Sequence, residues 1–318
     1  MDQTLAATAA AAREALKTGE TQGVATREQP RFELFHAATS ICSQKVRTVL
    51  AHHGLAYVEH TLDMFTGQTY LPGYVRLRML GCERFGGALV SHHSGSTSAS
   101  AGGCDGAVVP TLIDWQAGDV VVDSKRICLY LDDQVAPEDR LRPDTLATAI
   151  DAELQIVDEL PNYQMLMGRT VKGSESAASS KDVGGAFSQR KVAWCDRYLQ
   201  EHSDDPALVA AYTAKRAKEL SAAQALFSPE AMSAAYANAE IALVALEGRL
   251  SAAGTAWLFG DRETMADLFW GIELLRMENV GAAHFWEGRL PHVARFLAAA
   301  RGIPAIRTAI LEWPGATF

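Results

Sequence analysis

A proline stands inside an apolar run that otherwise has the composition of a strand: "AVVPTLIDW", Ala107–Trp115. Proline has no N–H to give to a ladder, so it is confined to edge strands, first positions and bulges. Two readings follow. Either the run lies on a sheet edge, or the Val109–Pro110 peptide is cis and turns its backbone groups out toward a ligand. A turn at Gln116–Gly118 and a second apolar run, "DVVVD", come next, so the proline leads into a hairpin.

The flanking segments restrict the architecture further. "RFELFHA" (Arg31–Ala37) alternates and carries aromatics, which predicts a strand. "ICSQKVRTVLAHHG" predicts a helix, with Ile41, Val46, Val49 and Leu50 on one face and Gly54 as its stop. "AYVEHTLD" (Ala56–Asp63) is a second strand, and "YVRLRML" (Tyr74–Leu80) a short helix. "GCERFGGALVSHHSGSTSASAGGCDG" (Gly81–Gly106) is rich in Gly and Ser without sustained periodicity, and is expected to be a long surface loop. "SKRICLYLDDQ" (Ser124–Gln134) is helical. The order β-α-β-α-β-β-α, with a proline before the hairpin, is that of a thioredoxin-like domain with a long insertion, over 31–135. It favours the ligand-facing reading of Pro110.

"APEDRLRPDT" (Ala136–Thr145) is polar with two prolines and marks a linker, 136–145. Beyond it, 146–318 reads as an all-helical domain. "EAMSAAYANAEIALVALEGRL" and "ETMADLFWGIELLRM" are its clearest helices. In the second, Thr264 and Asp267 stand at capping-box spacing, with Asp in place of Glu or Gln. Residues 1–30 form an Ala-rich extension, expected to be a frayed helix and a flexible linker. They lack the basic start, apolar block and cleavage site of a signal peptide.

Charge excludes some classes. The formal net charge is −9, and the basic clusters are short, which does not suit a nucleic-acid binder. No run approaches the roughly 18 apolar residues of a membrane span. The 5 cysteines are odd in number and irregularly spaced, so they do not form a secreted disulfide framework and point to a reducing cytoplasm. Cys82, His92, His93 and Cys104 match no zinc spacing, so no metal is expected.

Three features carry chemistry. Cys42 lies between Ser40 and Ser43 where a helix begins. A sulfur there feels the helix dipole and nearby N–H groups, which favour the thiolate; the alternative is a buried structural cysteine. Position 45 is lysine, so an internal dithiol cycle is unavailable and redox work by Cys42 needs an external thiol. Asp123 and Ser124 begin a helix after the hairpin. A helix N-terminus and a hydroxyl can hold a carboxylate while Asp123 holds an ammonium, as in an α-amino acid head group. Alternatively they only cap their own helix. Tyr163 and Met167 in "PNYQMLMG" either line an apolar pocket or belong to plain helix core.

Together these residues resemble the cytosolic glutathione transferases. "RFELFHAATSICSQKVRTVL", "YVRLR", "VVPTLID", "VVDSKRICLYL", "AYTAKRAKE", "WLFGDRETMADLFW" and "EWPG" resemble, within that family, the bacterial reductive dehalogenases of chlorinated hydroquinones. The resemblance spans roughly Arg31 to Gly315. It implies glutathione as co-substrate, a small aromatic substrate, no metal, and a homodimer or a heterodimer with a paralogue. It implies that Ser40 favours the glutathione thiolate and that Cys42 is the redox cysteine. The Val109 backbone beside cis-Pro110 would pair with the cysteinyl part of glutathione, and Asp123 and Ser124 would hold its γ-glutamyl end. Where those relatives carry bulky apolar residues before the serine, this chain has Ala37-Ala38-Thr39. Ala37 and Thr39 would then border a wider substrate pocket, which also suits glutathione-dependent cleavage of a β-aryl ether. A third reading is a non-catalytic, transferase-like partner subunit.

Overall fold

The computed structural model describes residues 3–16, 30–97, 103–168 and 180–316, with side chains from 184 onward in the last segment. Helix α1 (Gln3–Ala15) precedes the first domain. That domain runs β1 (Phe32–His36), α2 (Ile41–His52), β2 (Tyr57–Thr61), α3 (Pro72–Phe85), β3 (Thr111–Asp114), β4 (Asp119–Val122) and α4 (Ser124–Asp132). The sheet order is β2-β1-β3-β4, with β1 and β2 parallel and the other pairs antiparallel. This is the thioredoxin-like order expected from the sequence.

Side chains alternate across the sheet with the period of two that strands impose. Phe32, Leu34, Leu112 and Val121 pack with Ile41, Val46, Ile127 and Leu131 of α2 and α4. Phe35, Ile113, Val120 and Val122 pack with Tyr74, Val75 and Leu77 of α3. Covered on both faces, β1 is buried along its whole length.

The second domain contains α5 (Ala147–Glu159), α6 (Asn162–Met167), α7 (Ser180–Glu201), α8 (Pro206–Ala225), α9 (Pro229–Ala253), α10 (Met265–Asn279), α11 (Pro291–Ala300) and α12 (Pro304–Ile306). Helix α10 is buried from Met265 through Met277, so it is the axis on which this domain packs. Its start is fixed by Asp267, which accepts from the Thr264 N–H and hydroxyl (2.8 Å each) and from the Leu258 N–H (2.8 Å). No described helix is long and apolar enough to cross a membrane.

Four expectations change. The strand in "AVVPTLIDW" is confined to Thr111–Asp114, after the proline, and the helix begun by "YVRLRML" extends from Pro72 to Phe85. Residues 3–16 are not a frayed extension. Leu5, Ala9, Ala12 and Leu16 are buried in one cluster with α3, and Arg13 donates to both Glu33 oxygens (2.7 and 2.6 Å). The expected linker at 17–29 lies outside the described residues. Finally, α2 is buried on its polar as well as its apolar side from Ile41 to Leu50, with Ser43, Gln44, Lys45, Arg47 and Thr48 all buried. Its polar side meets the helical domain: Arg47 donates to the Ala309 carbonyl and Gln44 to that of Ala316.

Candidate active site

Ser40 is the N-cap of α2, with φ −71° and ψ 121°, and its Oγ accepts from the Ser43 N–H at 3.3 Å. Serine is favoured there because its short hydroxyl reaches the orphan amides of the first turn. A hydroxyl has one proton and two lone pairs, and the cap uses one lone pair. The proton remains to be donated, and Ser40 and Cys42 line one cavity. Cys42 is 8 % exposed, and its Sγ lies 3.7 Å from the Thr97 carbonyl. Both residues stand at the N-terminal end of α2. One turn on, the Lys45 ammonium is buried 3.0 Å from Asp158 Oδ1. Burial pulls the Lys45 pKa down, but Asp158 and then Cys42 push it up, and the balance lies above the ordinary value. Lys45 therefore stays charged behind the cysteine.

The Val109–Pro110 peptide is cis, the ligand-facing form of the two readings. Val108 and Val109 lie on the cavity wall. Two side chains of α3 hold this turn from behind. Tyr74 donates its hydroxyl to the Val108 carbonyl (2.6 Å), and the buried Arg78 donates to the carbonyls of Pro110 and Asp105 (2.5 Å each). Asp123 caps α4 through the Arg126 N–H (3.2 Å) and has φ 76°, a left-handed value that Asp tolerates better than most residues.

The cavity thus brings together Thr39, Ser40, Cys42, Val109, Tyr163 and Met167. Ala37, Pro110, Asp123 and Ser124 are buried or set back and do not line it. Ala37 is turned into the first-domain core, its N–H directed to Ser43 Oγ (3.2 Å) and its carbonyl to Arg47 (3.2 Å). The "PNYQMLMG" stripe divides. Tyr163 and Met167 face the cavity, while Met165 joins the core.

The described part of the insertion packs in part against the helical domain. Its first residues, Gly81–Phe85, complete α3. Beyond them the His93 ring stacks on Tyr163 with centroids 4.3 Å apart, and the Gly95 carbonyl accepts from the Gln164 N–H (3.1 Å). Ser96 donates to the Asp158 carbonyl. Cys104 and Asp105 are buried. His93, Ser96 and Thr97 consequently form part of the cavity wall.

Sequence reasoning missed the rest of that wall. Arg276 of α10 donates to the Thr39 carbonyl and to Gln44 (3.2 Å). Lys191 of α7 and Lys215, Lys218 and Glu219 of α8 also line the cavity. For the three α8 residues the sequence signal was "AYTAKRAKE", quoted as a motif but without a role.

A serine and a cysteine at one helix start, a cis-proline turn on the same cavity, and helices closing it from the other side form one candidate active site between a thioredoxin-like half and a helical half. The comparisons identify the class. The family model for the glutathione S-transferase N-terminal domain matches residues 39–134, and that for the C-terminal domain matches 229–299. The chain is 35% identical over 291 residues to 2,5-dichlorohydroquinone reductive dechlorinases from two strains of Sphingobium indicum, covering 90% of this chain and 84% of each of them. Among solved structures, the β-etherase LigF from Sphingobium sp. strain SYK-6 aligns with TM-score 0.58 at 16% identity, over 89% of this chain and 100% of that one. Ure2p in complex with glutathione aligns with TM-score 0.55 at 16% identity, over 89% and 100%. These two show the shared fold. The chain belongs to the glutathione S-transferase family.

Proposed function

We propose that this enzyme reductively dehalogenates a chlorinated hydroquinone with two molecules of glutathione. The observation that carries the reading is Cys42 two residues from Ser40 on one cavity wall, in a chain 35% identical to reductive dechlorinases. Glutathione would lie along the Val109 backbone, its γ-glutamyl end toward Asp123 and Ser124 and its sulfur at the Ser40 hydroxyl.

The thiolate first replaces chloride on the ring, forming a C–S bond and breaking C–Cl. The Cys42 thiolate then attacks the thioether sulfur. An S–S bond forms, the aryl C–S bond breaks, and the ring carbon keeps the electron pair and takes a proton, releasing the reduced quinol. A second glutathione thiolate attacks the Cys42–glutathione disulfide, frees Cys42 and leaves as oxidised glutathione. The carbon is reduced and two thiols are oxidised, so no second protein cysteine is required.

The rival reading is glutathione-dependent β-aryl ether cleavage, favoured by the small Thr39 on the cavity wall. It ends at the thioether and needs no Cys42. The test supplies purified enzyme and glutathione with 2,5-dichlorohydroquinone and, separately, with a β-aryl ether model compound. We expect chloride, the monochlorinated quinol and oxidised glutathione from the first. Cys42→Ser should accumulate the aryl–glutathione thioether and lose quinol formation by roughly 10³-fold or more, the loss of an essential nucleophile. Quinol formation at the wild-type rate in that variant, or turnover of the ether alone, overturns the reading. Assembly as a homodimer or with a paralogous subunit belongs to the same proposal, and sedimentation of the active chain alone separates the two.

A further inference from the structure

The far wall of the cavity holds more buried cations than anions. Lys215 Nζ lies 2.8 Å from Asp105 Oδ2 and 3.0 Å from Glu219 Oε1. Lys218 Nζ lies 2.9 Å from the same Asp105 oxygen. Lys191 Nζ is 3.2 Å from Glu219 Oε2 and 3.0 Å from the Tyr163 hydroxyl. These three ammonium groups meet two carboxylates, and none of the five side chains is more than 14% exposed.

The two acids are firmly ionised. Burial would raise the Glu219 pKa, but Lys191 and Lys215 hold it down at about 2. Asp105 is likewise driven well below its ordinary value, burial being outweighed by Lys215 and Lys218. His93, pushed well down by burial and by Lys218, contributes no positive charge near neutral pH. Arg276, the other cation among the described lining residues, belongs to the Thr39 side, where it is bound to the Thr39 carbonyl.

An unbalanced ammonium in a desolvated wall is costly unless an anion meets it. Lys218 is the least compensated, since it shares its acid with Lys215, and burial lowers its pKa where the other two are raised. The surrounding surface suits a flat ring: Tyr70, Tyr163 and Phe187 line the same cavity, and His93 already stacks on Tyr163. The lysines and Glu219 lie on α7 and α8, between the segments that the two family models match.

We infer that Lys218, backed by Lys191 and Lys215, forms a subsite for the ionised oxygen of an aromatic substrate, a phenolate or an aryl carboxylate. This rests on the aromatic-substrate reading above and adds to it a charge requirement. In a hydroquinone, the oxygen seated at Lys218 would be held as the anion, which places the halogen-bearing ring between this wall and Cys42. A free carboxylate of glutathione is the other anion that the same ammonium could meet.

Equilibrium binding separates these without turnover. The probes are 2,4,6-trichlorophenol, ionised at pH 8, and 2,4,6-trichloroanisole, the same ring with its oxygen methylated. Calorimetry on the wild-type chain should show the phenolate bound at least tenfold tighter than the ether. Lys218→Met should remove that preference while leaving glutathione affinity unchanged, and Lys218→Arg should retain it. Equal binding of the two probes to wild type overturns the subsite, as does a preference that survives in Lys218→Met. A Lys218→Met protein that binds glutathione tenfold more weakly and trichlorophenolate normally assigns the ammonium to glutathione and also overturns it. If Lys218→Met does not fold, Lys218→Gln and the wild-type probe comparison carry the decision. Failure to release chloride from 2,5-dichlorohydroquinone would sink the dehalogenase reading and leave this binding result standing.

Discussion

Glu273 on α10 is a buried carboxyl whose Oε2 has no hydrogen-bond partner among the described residues. Burial raises its pKa to about 7, against the opposing pull of Lys45, Asn162 and Arg276. In the unfolded chain the same group loses its proton near 4.5. Between those values the unfolded chain binds fewer protons than the folded one. Stability therefore falls as pH rises from 4.5 to about 7 and stays lowered above. Glutamine has nearly the same shape and does not titrate. Glu273→Gln should be more stable than wild type at pH 8, by roughly 3 kcal/mol at most, with the gain vanishing near pH 4.5. Urea titrations at the two pH values decide it, and a gain of equal size at both would show that the charge is not the cause. No local pattern announced this residue. "GIELLRM" reads as one more turn of an amphipathic helix, and only the burial of α10 on all sides makes its polar residues consequential.

Elements with local signatures were the legible ones. The aromatic alternation of "RFELFHA", the proline before the hairpin and the Thr264/Asp267 spacing each act within a few residues, and each has its expected structural form. The amino-terminal helix was misread, and the insertion was legible only as a surface loop, because what fixes them is distant. Asp105 in the insertion meets Lys215 across 110 residues of sequence, a contact that Gly/Ser composition does not announce. Helix α1 carries an alanine face too small to register as amphipathic, and it docks because α3 offers glycine at position 73. A Cβ built there would lie 2.5 Å from the Ala11 carbonyl oxygen, which is backbone and cannot swing away. Gly73→Leu should therefore expel α1 and cost about 1–3 kcal/mol, the usual range for overpacking. Hydrogen exchange reads this directly: amides of 3–16 should lose protection while α3 keeps its own. Continued protection of α1 in the variant would mean that the close approach does not position it.

At the scale of the whole molecule, α2 belongs both to the cavity wall and to the domain interface. Its first turn presents Ser40 and Cys42, while its buried polar side is bonded into the helical domain. Arg47 is the largest of those connections. Its guanidinium donates to the carbonyls of Ala37 (3.2 Å) and Ala38 (3.1 Å) just before Ser40, and twice to Ala309 (2.9 and 3.1 Å) near the carboxyl end. It also lies 4.5 Å over the Trp313 ring. Burial lowers its pKa to about 10, which leaves it charged at neutral pH. Methionine would fill much of the space and donate nothing. The Ala37 carbonyl would keep the Ser40 N–H and the half-buried Ala38 carbonyl the Gln44 amide, so the buried Ala309 carbonyl is the one left unsatisfied, at about 1–3 kcal/mol. Arg47→Met should thus lower the unfolding free energy by about 1–3 kcal/mol. Because the same bonds hold the Ala37–Ala38 turn, the damage should reach the site: glutathione binding should weaken along with stability. Urea titration with calorimetry at a temperature where the variant remains folded measures both. A variant that loses stability yet binds glutathione as wild type does would show that the Ser40 turn is positioned by α2 alone, without the helical domain.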